Sequence, residues 1–434
     1  MVSSRSFLFL ILQLTLTVLA LPSPSVEGGE LLPRASAPVR GVNLGHWFLI
    51  EPWMAPNWIK SLVAESGKPA PSSIPDEWTM GQVFDKAWLA RKINDHMDSW
   101  ITDDDWAAMR AAKLTHVRIP VPFYAFQDLI ANGEPYVAAD RWNKIKASVL
   151  KAKQYGFKVW ISFHGLPGSQ NGQDSSGRAG AIEWASSPGN LNRTLQSWKR
   201  FVDEFTLPAY HGTIEVLESV NEPKANTDPA VKALLKTYLP AANKYLQDVN
   251  AQRGSNVRFS QHDGWLGGPT WSSLYSASDR SKMTMDLHWY YVYGDQATQT
   301  DSQRMRKVCE SAQTKLPKNT GLYGQTVIGE FSIGAPAGAG GKSARDLRKS
   351  NAVSFSMDAL KVYPQPYLEF LSTNFRLQQQ LYEQYANGWI QWTWKMDRSG
   401  WHEWSFSDGL KYGWIGDLDR NPYGANMCKS LFGI

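Results

Sequence analysis

Two glutamates at the ends of short β-branched runs carry the most suggestive chemistry in this chain. The segment Leu217–Lys224 reads LESVNEPK and delivers Asn221 and Glu222 to its end, where Pro223 stops the strand. Proline disfavours helical geometry at the residue before it, so Glu222 is expected in extended backbone at a strand-to-loop junction. Glu330 stands in the same way at the end of VIGEFS. Two carboxylates facing each other across a cleft can hydrolyse a glycosidic bond, one giving a proton to the leaving oxygen and the other attacking the sugar. In the retaining version they stand about 5–5.5 Å apart. The plainer reading of either is a loop acid that caps the next helix.

Other polar and aromatic residues fall at the ends of further apolar runs: Glu51 and Trp53 just beyond the first, Arg118 at the second, His164 at the third, His288 and Tyr290 at the sixth and Trp394 at the last. If those ends share one face, these residues meet although they lie far apart in sequence. Glu330 would then be the nucleophile, held ionised by Arg118, because a nearby cation lowers a carboxyl pKa. Glu222, less compensated, would keep its proton and act as the acid. Asn221 is placed to hydrogen-bond the sugar hydroxyl next to the reacting carbon, His164 and His288 to bind hydroxyls or tune the acid, Tyr290 to steady the nucleophile and Trp394 to floor the subsite. Each has a duller role: a strand-end histidine is usually structural, Arg118 could be a buried ion-pair partner, and Trp394 could be core. Metal hydrolysis is the competing chemistry, but the eight histidines include no HExxH and no close pair at ligand spacing. No GxSxG marks a serine nucleophile.

The elements that must position these side chains follow from the alternation of short β-type runs with longer amphipathic stretches from Val39 onward, the pattern of βα units around a parallel sheet. Strands are predicted at 41–44, 115–119, 158–163, 214–220, 257–261, 283–287, 325–328 and 389–394. Eight of them predict an α/β fold, a closed (β/α)8 TIM barrel forming a single domain over 39–434 with long rim loops. Helices are predicted at 103–112, 141–155, 193–206, 229–250, 303–315 and 367–385, several behind a capping residue such as Thr102 or Asp228. The run Asp103–Asp105 is read as first-turn carboxylates favoured by the helix dipole rather than as a metal site. The insert 51–100 and the loop 334–363 are long for barrel connections and are expected to rim the cleft. GAGGKS at 338–343 resembles the end of a phosphate loop, but Pro336 stands where the leading glycine should be, so it reads as a flexible Gly/Ala loop.

At 434 residues, 43% hydrophobic and 20% charged, the chain can build one large α/β barrel or two medium domains. A net charge of +5, spread without any Lys/Arg block, gives no reason to expect nucleic acid. Twenty tryptophans exceed ordinary need, and some are expected to stack on sugar rings. Residues 1–20, with Arg5, an apolar run from Phe7 and a Val18-Leu19-Ala20 ending, read as a secretory signal peptide. The run is shorter than the roughly 20 residues of a spanning helix, so no membrane association is expected. Residues 21–38, rich in Pro and Ser, read as a disordered leader or propeptide. In the oxidising compartment this implies, Cys309 and Cys428 could close one long loop as a disulfide or stay as two buried thiols. Asn192-Arg193-Thr194 is a glycosylation sequon.

The segments RGVNLGHWFLIEPW, VRIPVPFYAF, WISFHGLPGSQNGQDSSG, LESVNEP, MDLHWYYVY, VIGEFS and GWIQWTWKMD together resemble the fungal exo-β-1,3-glucanases of glycoside hydrolase family 5. The resemblance runs from about Arg40 to the C-terminus. It implies a secreted retaining glycosidase that uses no cofactor and no metal, and that releases glucose from the non-reducing ends of a β-1,3-glucan polysaccharide or oligosaccharide through a covalent glycosyl-enzyme intermediate. A monomer is expected. The resemblance also implies Glu222 as acid/base and Glu330 as nucleophile, supported by Arg118, His164, Asn221, His288, Tyr290 and a tryptophan of the last strand, for which Trp394 is preferred to Trp392. Glu51 and Trp53 match positions that grip the non-reducing glucose, and Cys309 and Cys428 match a family disulfide. Where relatives carry a Phe this chain has Gln173, so one half of an aromatic clamp for the leaving sugar is absent and the other half is Tyr293. That departure leaves a β-1,6-glucanase or an endo-acting enzyme on the same barrel as the alternative. Outside the enzymes, the alternative is an inactive glucan-binding wall protein, against which the retention of both glutamates speaks.

Overall fold

Parallel barrel strands are covered on both faces and therefore read as continuous apolar runs. The computed structural model, which describes residues 37–68, 73–334 and 355–434, closes eight such runs into a barrel in sequence order. They are β1 Val39–Asn43, β2 His116–Pro122, β3 Lys158–Gly165, β4 Ile214–Glu218, β5 Arg258–His262, β6 Met283–Trp289, β7 Gln325–Phe331 and β8 Gly388–Gln391. Pairing of β1 with β8 shuts the ring, Val39 opposite Gly388 and Val42 opposite Gln391. The (β/α)8 expectation is met, with boundary differences that matter for the site. β7 runs past Ile328 to Phe331, so Glu330 sits within the ladder, whereas β4 stops at Glu218 and β8 at Gln391, short of their predicted ends.

Side chains two apart on one strand share a face, and the barrel interior is consequently layered. Val39, Trp160, Val216, Val327 and Ile390 pack together as an apolar cluster. Two residues further along their strands come Ser162 and Glu218, and beyond Ser162 comes His164, so polarity rises toward the C-terminal end of the barrel.

The surrounding helices begin where their caps lie. Thr102 and Asp105 form a reciprocal capping box on the helix Asp103–Ala111, so the acidic run is the first turn it was expected to be. Asp228 caps Pro229–Arg253. The helix expected from residue 193 starts earlier, at Pro188 behind the cap Ser187. The rim insert folds as three helices, Pro56–Ser66, Glu77–Val83 and Lys86–Trp100. Most of the second expected rim loop, GAGGKS included, lies outside the described residues, as do the signal-peptide reading of residues 1–20 and most of the leader. Cys309, on the helix Asp301–Lys315, is bonded to Cys428 on the helix Met427–Phe432. Among the described residues no helix is long and apolar enough to cross a membrane.

Candidate active site

Glu330 is gripped on both carboxylate oxygens: Arg118 Nη1 donates to Oε1 at 2.7 Å, and the Tyr290 hydroxyl donates to Oε2 at 2.8 Å. Glu222 comes off the end of β4, and its Oε1 lies 2.8 Å from Nδ1 of His288, a nitrogen that also stands 3.4 Å from Glu330 Oε2. The two carboxylates thus flank one imidazole nitrogen, and the oxygens that flank it are separated by no more than the sum of those two lengths. Glu222 does not cap the next helix, a task taken by Asp228.

Nor is Glu222 extended as Pro223 suggested. Its φ is +44°, in the left-handed region, which costs a residue with a side chain about 1–2 kcal/mol. Proline closes the right-handed helical region to its predecessor. Backbone hydrogen bonds from Asn221 N to Phe163 O at 2.9 Å and from Lys224 N to Gln170 O at 3.1 Å hold the turn on either side. Strain of this kind persists where the surroundings over-determine the backbone, and it clusters at functional sites.

Arg118 is completely buried and organises the ground beneath the pair. Nε and Nη2 donate to Glu218 Oε2 at 3.1 and 2.8 Å, Nη1 donates to Asn43 Oδ1 at 2.9 Å, and Nη2 donates to Asn221 Oδ1 at 2.8 Å. Asp286 Oδ2 stands 3.5 Å from Nη2 and 3.2 Å from Nε2 of His288. Glu218, Asp286 and Asn43 were not anticipated as site residues. Their signal in the sequence was a polar or charged side chain inside an otherwise apolar strand, which is rarely buried unless paired.

Burial pushes the Glu330 carboxyl above the usual range, opposed by the charges of His288 and Arg118. The expectation that Arg118 lowers this carboxyl is thereby qualified: desolvation is the largest influence and raises it, and His288, Arg118 and Tyr290 offset that only in part. Burial works against a charged His288, but Glu330 and Asp286 outweigh it and hold the imidazole well above its ordinary pKa. His164 is kept neutral by burial, with Arg118 and His288 adding to the effect; its Nδ1 pairs with Ser162 Oγ at 3.0 Å. Burial also raises Glu218 to about 8. The carboxylate and histidine atoms of Glu222, His262 and His288, and of Glu218, Asp286 and His288, lie close enough to hold a cation. Arg118 and the protonated His288 already supply the positive charge there, which favours an ion-pair network over a metal site.

The site opens into a cleft of about 770 Å³ at the C-terminal ends of the strands. At one end Trp53 Nε1 donates to Glu51 Oε2 at 3.0 Å. Burial first, then the neighbouring Asp174, push the Glu51 carboxyl well up. Glu51 Oε1 and Asn221 Nδ2 are buried without a partner among the described residues, a state that costs free energy unless a ligand hydroxyl satisfies them. Tyr293, 60% exposed, Gln173, Lys224 and Trp265 also line the cleft. Asp174, beside Gln173, also lines it, and burial raises its pKa to about 6.

The preference for Trp394 is overturned. Trp392 lines the cleft, stacked on His164 with ring centroids 5.7 Å apart, whereas Trp394 is buried away from it, its Nε1 donating to Asp105 Oδ1 at 2.8 Å. Because β8 ends at Gln391, strand alternation no longer decides which of the two tryptophans faces the site. Asn192 is exposed on its helix, with the sequon's Thr194 buried and accepting a hydrogen bond from Trp184.

No family model matches the chain. It is 28% identical over 422 residues to a protein of Aspergillus niger named probable glucan 1,3-beta-glucosidase D, covering 91% of this chain and 48% of that one. It is 31% identical over 330 residues to probable glucan 1,3-beta-glucosidase A of Aspergillus terreus, covering 74% and 72% of the two chains. The chain spans about half the length of the D-type relatives it matches. In fold it is similar to rutinosidase from Aspergillus niger, with a TM-score of 0.70 and 17% identity over 88% of this chain and 98% of that one. The identity with the A-type relative, sustained over most of both chains, means that this chain belongs to the glucan 1,3-beta-glucosidase family.

Proposed function

We propose that this chain is a retaining glycoside hydrolase that releases glucose from the non-reducing ends of β-1,3-glucan chains. The observation that carries the reading is the shared imidazole: Glu222 and Glu330 contact one nitrogen of His288 at 2.8 and 3.4 Å. Those contacts limit the two oxygens to less than the roughly 6.5–9.5 Å at which an inverting pair admits a water. Glu330, held by donors on both oxygens, attacks the anomeric carbon. Glu222 gives its proton to the departing oxygen, then takes one from the water that releases the covalent sugar. Asn221 Nδ2 meets the hydroxyl beside the reacting carbon, and Glu51 and Trp53 hold the far edge of the ring. The names of the relatives support β-1,3-glucan as substrate. The N-terminal apolar run supports export, and the enzyme acts as a monomer at the wall or outside the cell.

The exposed Tyr293, which lines the same cleft as Gln173, favours one second reading, a β-1,6 linkage at the leaving-group side, because half of the expected aromatic clamp is polar. Product analysis on laminarin and pustulan, beside Glu330→Gln, decides between them. Laminarin preferred, glucose appearing first as the β-anomer, and a variant slower by about three decades or more are the expected results. Preference for pustulan keeps the catalytic pair and changes the linkage. A fully active variant refutes the mechanism.

A further inference from the structure

Arg118 and His288 are the two cations of a cluster that holds four carboxyls. Arg118 stands 2.8 Å from Glu218, 2.7 Å from Glu330 and 3.5 Å from Asp286. His288 stands 2.8 Å from Glu222, 3.4 Å from Glu330 and 3.2 Å from Asp286. His164 on β3 and His262 on β5 add no charge, because burial holds both neutral. Four carboxylates against two cations leave an excess of negative charge out of water, which is costly and is relieved by binding protons. The proposed acid Glu222 carries one. A second has three places to go.

The hydrogen bonds separate the three. Glu330 has a donor on each oxygen, Arg118 on Oε1 and Tyr290 on Oε2. Asp286 has one on each as well: Gly329 N donates to Oδ1 at 2.9 Å and His288 Nε2 to Oδ2 at 3.2 Å. Glu218 does not. Arg118 Nε and Nη2 both donate to its Oε2, and Oε1 is buried with no hydrogen-bond partner among the described residues. A carboxylate spreads its charge over both oxygens, so a bare buried Oε1 is the poorest place to leave charge and the best place to put a proton. In the ladders Glu218 pairs with Ser162 of β3 and Ser260 of β5, so only hydroxyls flank it from the neighbouring strands. Burial pushes this carboxyl up to about 8, with the Asp286 charge adding to the effect and Arg118 and His288 opposing it.

We propose that Glu218 is a positioning residue that works as a neutral acid: it holds Arg118 through one oxygen without taking its charge, which is left to Glu330. The proposal rests on the reading of Glu330 as nucleophile and Glu222 as acid. An ionised Glu218 would be a further carboxylate on the same guanidinium, and Glu330 would then take up a proton more readily.

Two measurements on Glu218→Gln, the uncharged isostere, test this. The first needs no substrate. A carboxyl that titrates at about 4.3 in the unfolded chain but keeps its proton when folded makes the folded enzyme bind one proton more at intermediate pH, so this group costs wild type stability as pH rises. Glutamine has no such proton to lose. In urea unfolding the folding equilibrium constant of E218Q, divided by that of wild type, should rise about tenfold per pH unit from about pH 5 to 7 and level off near pH 8. A ratio flat over that range overturns the proposal. The second measurement is the position of the acid limb of kcat/KM on an activated aryl β-glucoside, which reports Glu330. If Glu218 is already neutral, the limb of E218Q stays at the wild-type pH, whatever its height. A limb moved down by about one pH unit or more means that the substitution removed a charge beside Arg118, and overturns the proposal. If E218Q does not fold, E218M, neutral and of similar length, takes its place, and failure of both to fold at any pH overturns it too. A fully active Glu330→Gln enzyme would sink the nucleophile reading alone, since the unfolding ratio is read without substrate.

Discussion

Replacing Tyr290 with Phe removes one of the two donors that hold the Glu330 carboxylate, leaving Arg118 on Oε1 and nothing on Oε2 from the Tyr290 side. A hydrogen bond to a charged group contributes about 1.5–3 kcal/mol. Tyr290 is only partly buried, beside the Trp404 ring at 5.8 Å, so water can return some of that and the lower end of the range, about 1.5–2 kcal/mol, applies. That corresponds to a factor of about 10–30. The direction follows from the influences on Glu330: burial raises its pKa, and His288, Arg118 and Tyr290 lower it. Losing Tyr290 therefore raises it further. A nucleophile works only when ionised, so activity is lost as pH falls through its pKa, and the variant loses it at higher pH. On the acid limb kcat/KM for Y290F should lie about 10–30-fold below wild type. On the plateau the deficit should be smaller, because the carboxylate gives up its charge in the transition state. The assay is kcat/KM against pH with an activated aryl β-glucoside, whose leaving group needs little help from Glu222. An acid limb that superposes on that of wild type, or moves to lower pH, refutes the reasoning.

Cys309 and Cys428 are separated by 119 residues. Serine at both positions should lower stability by about 5 kcal/mol through the chain entropy regained on unfolding, read as a fall in the urea midpoint; a change below about 1 kcal/mol would contradict that account. Glu222→Gly and Glu222→Ala both remove the acid, but only Ala keeps a Cβ at a φ of +44°. The Gly variant should be the more stable by about 0.5–1 kcal/mol in thermal unfolding, and an Ala variant of equal stability would show that the turn carries no such strain.

The barrel was legible because its strands are buried on both faces, which writes each as an apolar β-branched run such as β2, HVRIPVP, buried at every position. The candidate pair was legible for a related reason: a barrel gathers its strand ends on one face, so a carboxylate closing such a run stands out. Trp392 and Trp394 could not be separated in this way, since both lie beyond the last ladder residue of β8, where period-two alternation has no force.

By itself, then, the sequence determined the eight strands, their order and the identity of the strand-end side chains that reach the cleft, such as His164, Glu222, His288 and Glu330, because local periodicity and strand-end position are local properties. Tertiary structure alone decided three things. It set the left-handed turn at Glu222, held by backbone groups from elsewhere in the chain. It made Arg118 the centre of a buried network with Glu218, Asp286 and Glu330, partners separated from it by as many as 212 residues. It also joined the loops after β1 and β8 through Arg398 and Trp53, 345 residues apart. Each depends on closing the barrel, an event that brings distant residues into contact and that no window of neighbouring residues encodes.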